Sequence, residues 1–397
     1  MITLDNDDWN WIKEHQSANP DRLRLSFHGD PRKMFAITQI DCRQRVREKL
    51  SQTLADQPDF VFPSTLSAQQ STSDSLASYH ASLVNPGWRV LDLTGGLGID
   101  ARHLSSRAVS VDICEINPEI AECAEHNAHS AGIENISVHC CDCIDFLTNA
   151  ATDQFDCIFI DPARRGEHGQ RLYALSQCSP DVTELLDKML CIAQRVIIKA
   201  SPMLDVSHTL AELKHVEQII TLGTKNECKE LIAVCSRDYS EPARISAVSI
   251  IPSGISEESA SSVSECVCQP ESFGNPAIGD VVYEPYPSVA KLGMAGHLCR
   301  KYNVAKIANA TNLYHTCDPV VGFPGTAHRV ENIFEMSKKA LKSLSGLYPL
   351  IDVTAKNFPM TSVELTARMR VKPSGEYRLF ACRDAKGRKL LIATRRI

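Results

Sequence analysis

Val90-Leu-Asp-Leu-Thr-Gly-Gly-Leu-Gly-Ile-Asp100 is the run from which an α/β fold can be read. An apolar run ends in an acid, glycines turn the chain, and a helical segment follows. This is how a βα loop that cradles a phosphate or nucleoside is written. Gly96 and Gly98 let the backbone approach a ligand where a Cβ would collide. The run Gly96-Leu-Gly-Ile-Asp-Ala101 also fits the G-x-G-x-x-A dinucleotide fingerprint, so the neighbouring strands must discriminate.

A second strand from Ala108 to Cys114 ends at Glu115 and is followed by Ile-Asn-Pro118, whose proline suits a first helical turn. An acid at this point is placed to take both ribose hydroxyls. A third strand, Ile136 to Cys141, ends in Asp142, and a fourth, Phe155 to Ile160, ends in Asp161-Pro162-Ala163-Arg164-Arg165. Open α/β sheets bind ligands at the carboxyl ends of their parallel strands, and all four ends here carry a polar residue.

From about Thr65 to Cys235 the chain resembles the class I S-adenosylmethionine-dependent methyltransferases, on Asp92-x-Thr94-x-Gly96-x-Gly98, Glu115, Asp142 and Asp161-Pro162 in that order. The resemblance implies S-adenosyl-L-methionine as cofactor. The loop from Asp92 through Thr94, Gly95, Gly96 and Gly98 would underlie its methionine and ribose, Glu115 would hold the ribose, Asp142 would meet the adenine amino group, and Asp161-Pro162 would face the acceptor. Thr94 stands where many members have the first glycine, and Gly95 can still provide the turn. Gln70, Ser71 and Thr72, in the hydroxyl-rich segment before the loop, are candidates for the cofactor carboxylate, with helix capping by Ser73 or Asp74 as the structural alternative. A nicotinamide-dependent oxidoreductase would share the loop and Glu115 without requiring Asp142 or Asp161-Pro162.

Base-directed members often carry Asp-Pro-Pro-aromatic at the acceptor position, where the acid and the proline carbonyl bind an exocyclic amine and the ring stacks on a flipped base. This chain has Asp161-Pro-Ala-Arg-Arg165. Asp161 can hold or deprotonate an N–H, Pro162 stays beside it, and Arg164 can stack by its guanidinium plane or grip a phosphate. Lys199, after a fifth strand, is a substrate or phosphate contact. Relatives that methylate carbon 5 of pyrimidines place a catalytic cysteine in this neighbourhood, and Ser201 is not a thiol. His139 reads as a core residue of the third strand, and His168 sits on a glycine-flanked loop.

Composition bounds the rest. The 397 residues are 43% hydrophobic, as in a globular chain. No apolar run approaches the roughly 18 to 20 residues needed to span a bilayer, and the acidic N-terminus is unlike a signal peptide, so a cytoplasmic protein is expected. The 16 cysteines lack paired zinc spacing. Those around Cys140-Cys141-x-Cys143 are expected on a buried strand, as structural thiols with no metal site. From Tyr283 to Ile397 there are 19 Lys and Arg against 8 Asp and Glu, a balance of +11. The chain as a whole carries −6, so the preceding residues carry −17. The basic tail is a candidate nucleic-acid surface.

The expected organisation is α/β: a Rossmann-like seven-stranded methyltransferase sheet with an N-terminal helical cap and a C-terminal α+β region. Residues 1–64 form the helical region, with one helix over Ala36 to Leu54 that keeps Arg43, Arg45, Arg47 and Lys49 outside. Residues 65–252 form the methyltransferase domain, and the Ser- and Glu-rich 253–278 a linker. Residues 279–335 form a small α+β, ferredoxin-like domain with a helix from Ser288 to Tyr302. Residues 336–397 contain a strand from Gly346 to Val353, a helix from Ser362 to Met369 and a basic terminal hairpin. Lys356-Asn-Phe-Pro359 and that hairpin resemble the THUMP-like tail of a methyltransferase subgroup, which implies an RNA partner, tRNA or rRNA. Methylation of a base nitrogen is the expected activity; the alternatives are an NAD(P)-dependent oxidoreductase and a non-catalytic RNA-binding protein.

Overall fold

The computed structural model describes residues 3–164, 174–266 and 273–397, Arg164 by its backbone only. The chain divides into two compact units, 1–217 with 232–240, and 218–231 with 241–397.

The first unit opens with helices whose starts are written in the sequence. Asp5 and Asp8 form a capping box on α1 (Asn6–Glu14), while Asn19 and Asp30 cap α2 (Pro20–Ser26) and α3 (Pro31–Val46), each with a leading proline. The helix expected over Ala36 to Leu54 is instead broken. α3 ends at Val46, and α4 (Ser51–Asp56) begins where Asp74 accepts the backbone N–H groups of Gln52 and Thr53, an anion completing a new helix N-terminus. Arg43, expected outside, is half-buried. Val46, Leu50, Phe60 and Phe62 form a core with Leu97 and Ile99 of the glycine loop. The helical region is thus the packing support of that loop.

After α5 (Thr65–Gln70) and α6 (Asp74–Ser82) the βα alternation begins: β1 (Arg89–Asp92), α7 (Ile99–Ser105), β2 (Ser110–Glu115), α8 (Pro118–Ser130), β3 (Ile136–Cys140), α9 (Cys143–Asn149) and β4 (Cys157–Ile160). A two-residue pair follows, β5 (Ala163–Arg164) with β6 (Cys178–Ser179), then α10 (Val182–Ile192), β7 (Arg195–Ala200) and α11 (Val206–Glu212). The strands pair in parallel in the order β7-β4-β1-β2-β3, so their carboxyl ends converge on one edge. β3 closes this order as an edge strand, which overturns its expected burial: Cys140 is exposed and Cys141 half-buried. His139 is not a core residue either; its Nε2 lies 2.7 Å from Asp112 Oδ1, with the ring 38% exposed.

In the second unit β8 (Val216–Thr224), the first half of β9 (Cys228–Ser236), β10 (Arg244–Ile251) and β11 (Gly254–Ala260) pair in the order β11-β10-β8-β9. β10 is the short strand that the sequence places over Ile245 to Ile251, and β11 lies beyond the strands expected. The residues expected as a linker form β11, antiparallel to β10, and a helical turn, α12 (Val263–Cys266). The reason is Glu258. It is 1% exposed, with Oε1 2.6 Å from both His297 Nε2 and Lys301 Nζ, and Oε2 accepting the Tyr302 hydroxyl at 2.6 Å. A segment that reads as solvated is drawn inward by partners some forty residues later, and the buried carboxylate is fully hydrogen-bonded.

The remaining elements are β12 (Val281–Pro285), α13 (Pro287–Leu292), α14 (Ala295–Tyr302), β13 (Ala305–Ala308), β14 (Thr311–Thr316), β15 (Gly325–Glu335), α15 (Lys338–Leu347), β16 (Asp352–Lys356), α16 (Ser362–Met369), β17 (Tyr377–Arg383) and β18 (Lys389–Arg396). Their sheet runs β13-β14-β12-β15-β18-β17-β16. β15 pairs with both β12 and β18, so the residues expected as two domains share one sheet. The helix expected over Ser288 to Tyr302 divides at Gly293, which takes φ +68°. The strand expected from Gly346 starts later because Leu341 and Leu344 carry α15 into the core.

Candidate active site

The carboxyl ends of β1, β2 and β4 and the start of α9 surround a cavity of about 440 Å³, within the roughly 300–1,000 Å³ of small-molecule sites. Gly95 sets the loop against β2: its N–H donates to the Cys114 carbonyl at 3.0 Å, and a Cβ there would collide with Ile113. Gly96, at φ +54°, donates its N–H to Glu115 Oε2 at 2.9 Å, while the Asn117 N–H donates to Oε1 at 2.8 Å. Two backbone donors therefore fix the plane of the Glu115 carboxylate. Thr94 Oγ1 accepts the Asp161 N–H at 2.7 Å and ties the loop to the end of β4, a bond that glycine could not make. Asp142 starts α9, accepting the Ile144 N–H at 2.7 Å.

Of the residues singled out in the sequence, Gln70, Ser71, Thr94, Gly96, Glu115, Asp142 and Asp161 line this cavity. Thr72, Asp92, Gly95, Gly98, Pro162 and Lys199 do not. Gly98, at φ +75°, begins α7. The Arg164 side chain, Arg165 and His168 lie outside the described residues.

Behind the cavity, Lys199, 8% exposed, places Nζ 2.7 Å from Asp161 Oδ2 and 3.0 Å from Thr72 Oγ1. The Thr72 hydroxyl donates to Asp100 Oδ2 at 2.5 Å, and Asp100 Oδ1 lies 2.7 Å from Nδ1 of His80, which is fully buried. Five side chains thus run unbroken from His80 to Asp161. Thr72, expected to reach a ligand, instead joins Lys199 to Asp100. Burial alone would raise the Asp100 carboxyl, but the charge and hydrogen bond of His80, with Lys199 and Thr72, hold it well below the usual carboxylate range. Asp92 shows the opposite balance. It is 1% exposed and, among the described residues, accepts only the Thr94 N–H, at 3.1 Å. Burial, reinforced by the nearby Asp100 charge, pushes it up to about 8.

Several lining residues carried no sequence signal. Ile116 and Ile144 are large apolar side chains left 68% and 46% exposed beside Glu115 and Asp142. Cys114, Cys141 and Cys143 also face the cavity. Burial, then Cys141, raises the Cys114 thiol, and burial pushes Cys143 up to about 11, so neither is a nucleophile at neutral pH. Among the described residues no group of three His, Cys, Asp or Glu is placed to hold a metal ion.

Known proteins match in separate stretches. Residues 88–240 match a family model described as RNA cap guanine-N2 methyltransferase, residues 282–324 a ferredoxin-like domain, and residues 325–396 a THUMP domain-like family. The solved structure of a Porphyromonas gingivalis W83 protein provisionally designated a methyltransferase is 29% identical and covers 100% of both chains with a TM-score of 0.87. The 23S rRNA (uracil(747)-C(5))-methyltransferase RlmC of Shewanella baltica is 31% identical over 94 residues, 23% of each chain, so this chain spans under a quarter of that relative's length.

Proposed function

We infer that this chain, a class I S-adenosylmethionine-dependent methyltransferase carrying a C-terminal THUMP-like domain, transfers the methyl group to a nitrogen of an RNA base, in tRNA or rRNA. The cofactor supplies an electrophilic methyl group on a positively charged sulfur. The observation that carries its fit is electrostatic: the cavity is lined by Glu115, Asp142 and Asp161 and, among the described residues, by no Lys, Arg or His. Glu115 and Asp142, with Asp161 partly neutralised by Lys199, favour a cationic sulfonium and would repel the pyrophosphate of a nicotinamide dinucleotide. Glu115 is pre-set to accept both ribose hydroxyls. Asp142 takes the adenine amino group, and Ile116 and Ile144 cover the two faces of the ring. Ile116→Ser and Ile144→Ser should each weaken S-adenosylhomocysteine binding about fivefold by calorimetry, the equivalent of about 1 kcal/mol of apolar contact; unchanged affinity would remove them from the adenine site.

Asp161 is the residue we place against the acceptor. Its carboxylate, 42% exposed and held by Lys199, can accept the N–H of a base and keep the nitrogen lone pair in line with the methyl group. Arg164 stands where those members carry the aromatic residue, so a ring that covers a flipped base must come from elsewhere. An exocyclic guanine amine is the acceptor suggested by the description of the matching family. Carbon-5 chemistry, named for the Shewanella baltica enzyme, is disfavoured because Ser201 replaces the thiol which that route needs. The basic C-terminal third supports an RNA substrate. No helix among the described residues is long and apolar enough to cross a membrane, and we place the enzyme with its RNA in the cytoplasm.

Transfer of labelled methyl from S-adenosylmethionine to separated tRNA and rRNA fractions from cells lacking the protein tests this reading. Label should enter one fraction and digest to a base methylated on nitrogen. No label in either fraction, with S-adenosylhomocysteine still binding, would move the acceptor to a protein or small molecule.

A further inference from the structure

We propose that the cavity framed by α1, α3 and α4 is a second docking site for the RNA substrate, holding one unpaired nucleotide with its base on Trp9 and its phosphates against Lys13, Arg43 and Arg47. The proposal rests on the reading of RNA as acceptor. The cavity measures about 1440 Å³, and all four of these side chains line it.

Its cations differ from the rest of the helical region. Arg24 pairs with Asp21 and Asp41, Arg32 with Asp5 and Asp8, and Arg45 with Asp41. Lys13, Arg43 and Arg47 form no ion pair with a carboxylate of the described residues. Arg43 lies with its guanidinium 5.1 Å from the centre of the Trp9 ring, donates from one Nη to the Phe60 carbonyl at 2.7 Å, and leaves a buried Nε without a hydrogen-bond partner. Burial lowers this guanidinium to about 10, with Asp59 offsetting only part of the effect, so at neutral pH it remains a charged, under-neutralised donor. A partly desolvated charge with no anionic partner is unfavourable, and a bound phosphate would meet the part of the guanidinium that lines the cavity, Nε itself being closed off from solvent.

The remaining lining suits a nucleotide rather than a bare anion. Trp9 provides an aromatic face already carrying a cation, the combination that single-stranded nucleic acids use for stacking. The exposed amides of Asn10 and Gln16 offer both donors and acceptors to base edges. Trp9 and Leu54 pack on the core that contains Leu97 and receives Ile120, and Leu97 and Ile120 also line the methyl-donor cavity. A rigid, shared core therefore joins the two sites, as a substrate-positioning surface requires.

The test uses the full-length protein and a fluorescein-labelled, mixed-sequence single-stranded RNA of about 12 nucleotides, titrated by anisotropy between about 50 and 200 mM salt. Lys13 and Arg47 are exposed, so Lys13→Glu/Arg47→Glu should fold as the wild type does, which unchanged S-adenosylhomocysteine affinity will verify. RNA affinity should fall at least about tenfold at low salt, and the slope of log K against log salt should lose about 1.4 for two phosphate contacts. Trp9→Phe should abolish the RNA-induced quenching of tryptophan emission. If wild-type protein binds and methylates RNA while the double variant keeps its affinity and slope, the docking site is overturned and the acceptor reading stands. If wild-type protein binds no RNA at low salt and methylates none, the acceptor reading itself fails. Trp9 quenching by nucleoside monophosphates that single-stranded RNA cannot displace would make this a small-molecule site and overturn the proposal.

Discussion

Asp161→Asn is expected to slow methyl transfer by about 10²- to 10³-fold while leaving affinity for S-adenosylhomocysteine largely intact. The substitution keeps size and shape and removes the charge. In the wild type Oδ2 sits 2.7 Å from Lys199 Nζ, and that ammonium is itself held by Thr72, whose hydroxyl is committed to Asp100. The ammonium can only donate, so an asparagine must offer its carbonyl oxygen to Lys199 and turn its amide hydrogens toward the acceptor. A base N–H would then face donors where it needs an acceptor. The loss should appear in single-turnover rates with the RNA fraction that accepts label, with the cofactor dissociation constant measured in parallel as the control. Unchanged turnover would show that the acceptor-side group is another residue, whereas loss of cofactor binding would make Asp161 part of the donor site.

The parts of this site that were legible before the structure are those that topology alone brings together. Asp92, Glu115, Asp142 and Asp161 each end a strand in a βα pattern, and a parallel sheet places such ends on one edge. No distance information was needed for that. Glycine spacing was legible for the same reason, because a positive φ at Gly96 and Gly98 is a local property. What stayed hidden depends on contacts between residues far apart in sequence. Thr72 stood out as a hydroxyl near the cofactor loop, but its partners are 28 and 127 positions away, and they convert it from a ligand contact into a link between Asp100 and Lys199. His80 lies in a helix with ordinary periodicity, and nothing in its neighbours marks it as the buried partner of Asp100. Ile116 and Ile144 were invisible for a different reason: an isoleucine after a strand reads as core, and only its exposure beside a cavity gives it another meaning. Glu258 failed in the reverse sense, since a Ser- and Glu-rich run reads as solvated until His297, Lys301 and Tyr302 are seen to surround it.

Asp92 began as a cofactor candidate and becomes, on its burial, a source of pH-dependent stability. Its carboxyl is pushed from an ordinary 3.8 up to about 8. As pH rises from about 4, the unfolded chain releases this proton while the folded protein retains it, so the folded state binds more protons and stability falls. The contribution is fully present below pH 4 and is lost progressively up to about pH 8. At about 1.4 kcal/mol per unit, neutral pH lies roughly three units into this window, a penalty of the order of 3–5 kcal/mol. Asp92→Asn keeps an oxygen for the Thr94 N–H and removes the titration, so the variant should be more stable than the wild type by an amount that grows with pH. The neighbouring Asp100 titrates below this window because its folded value is depressed, and Lys199 is common to both proteins, so the difference between variant and wild type isolates Asp92. Trp9, Trp11 and Trp88, the only tryptophans in the chain, all belong to the first unit, and their emission during urea unfolding reports the unit that contains Asp92. The two proteins should differ by only about 1 kcal/mol at pH 4.5, and their midpoints should separate steadily through pH 8. A difference that does not change with pH would mean that Asp92 is ionised in the folded protein, with its charge neutralised in place by Lys199.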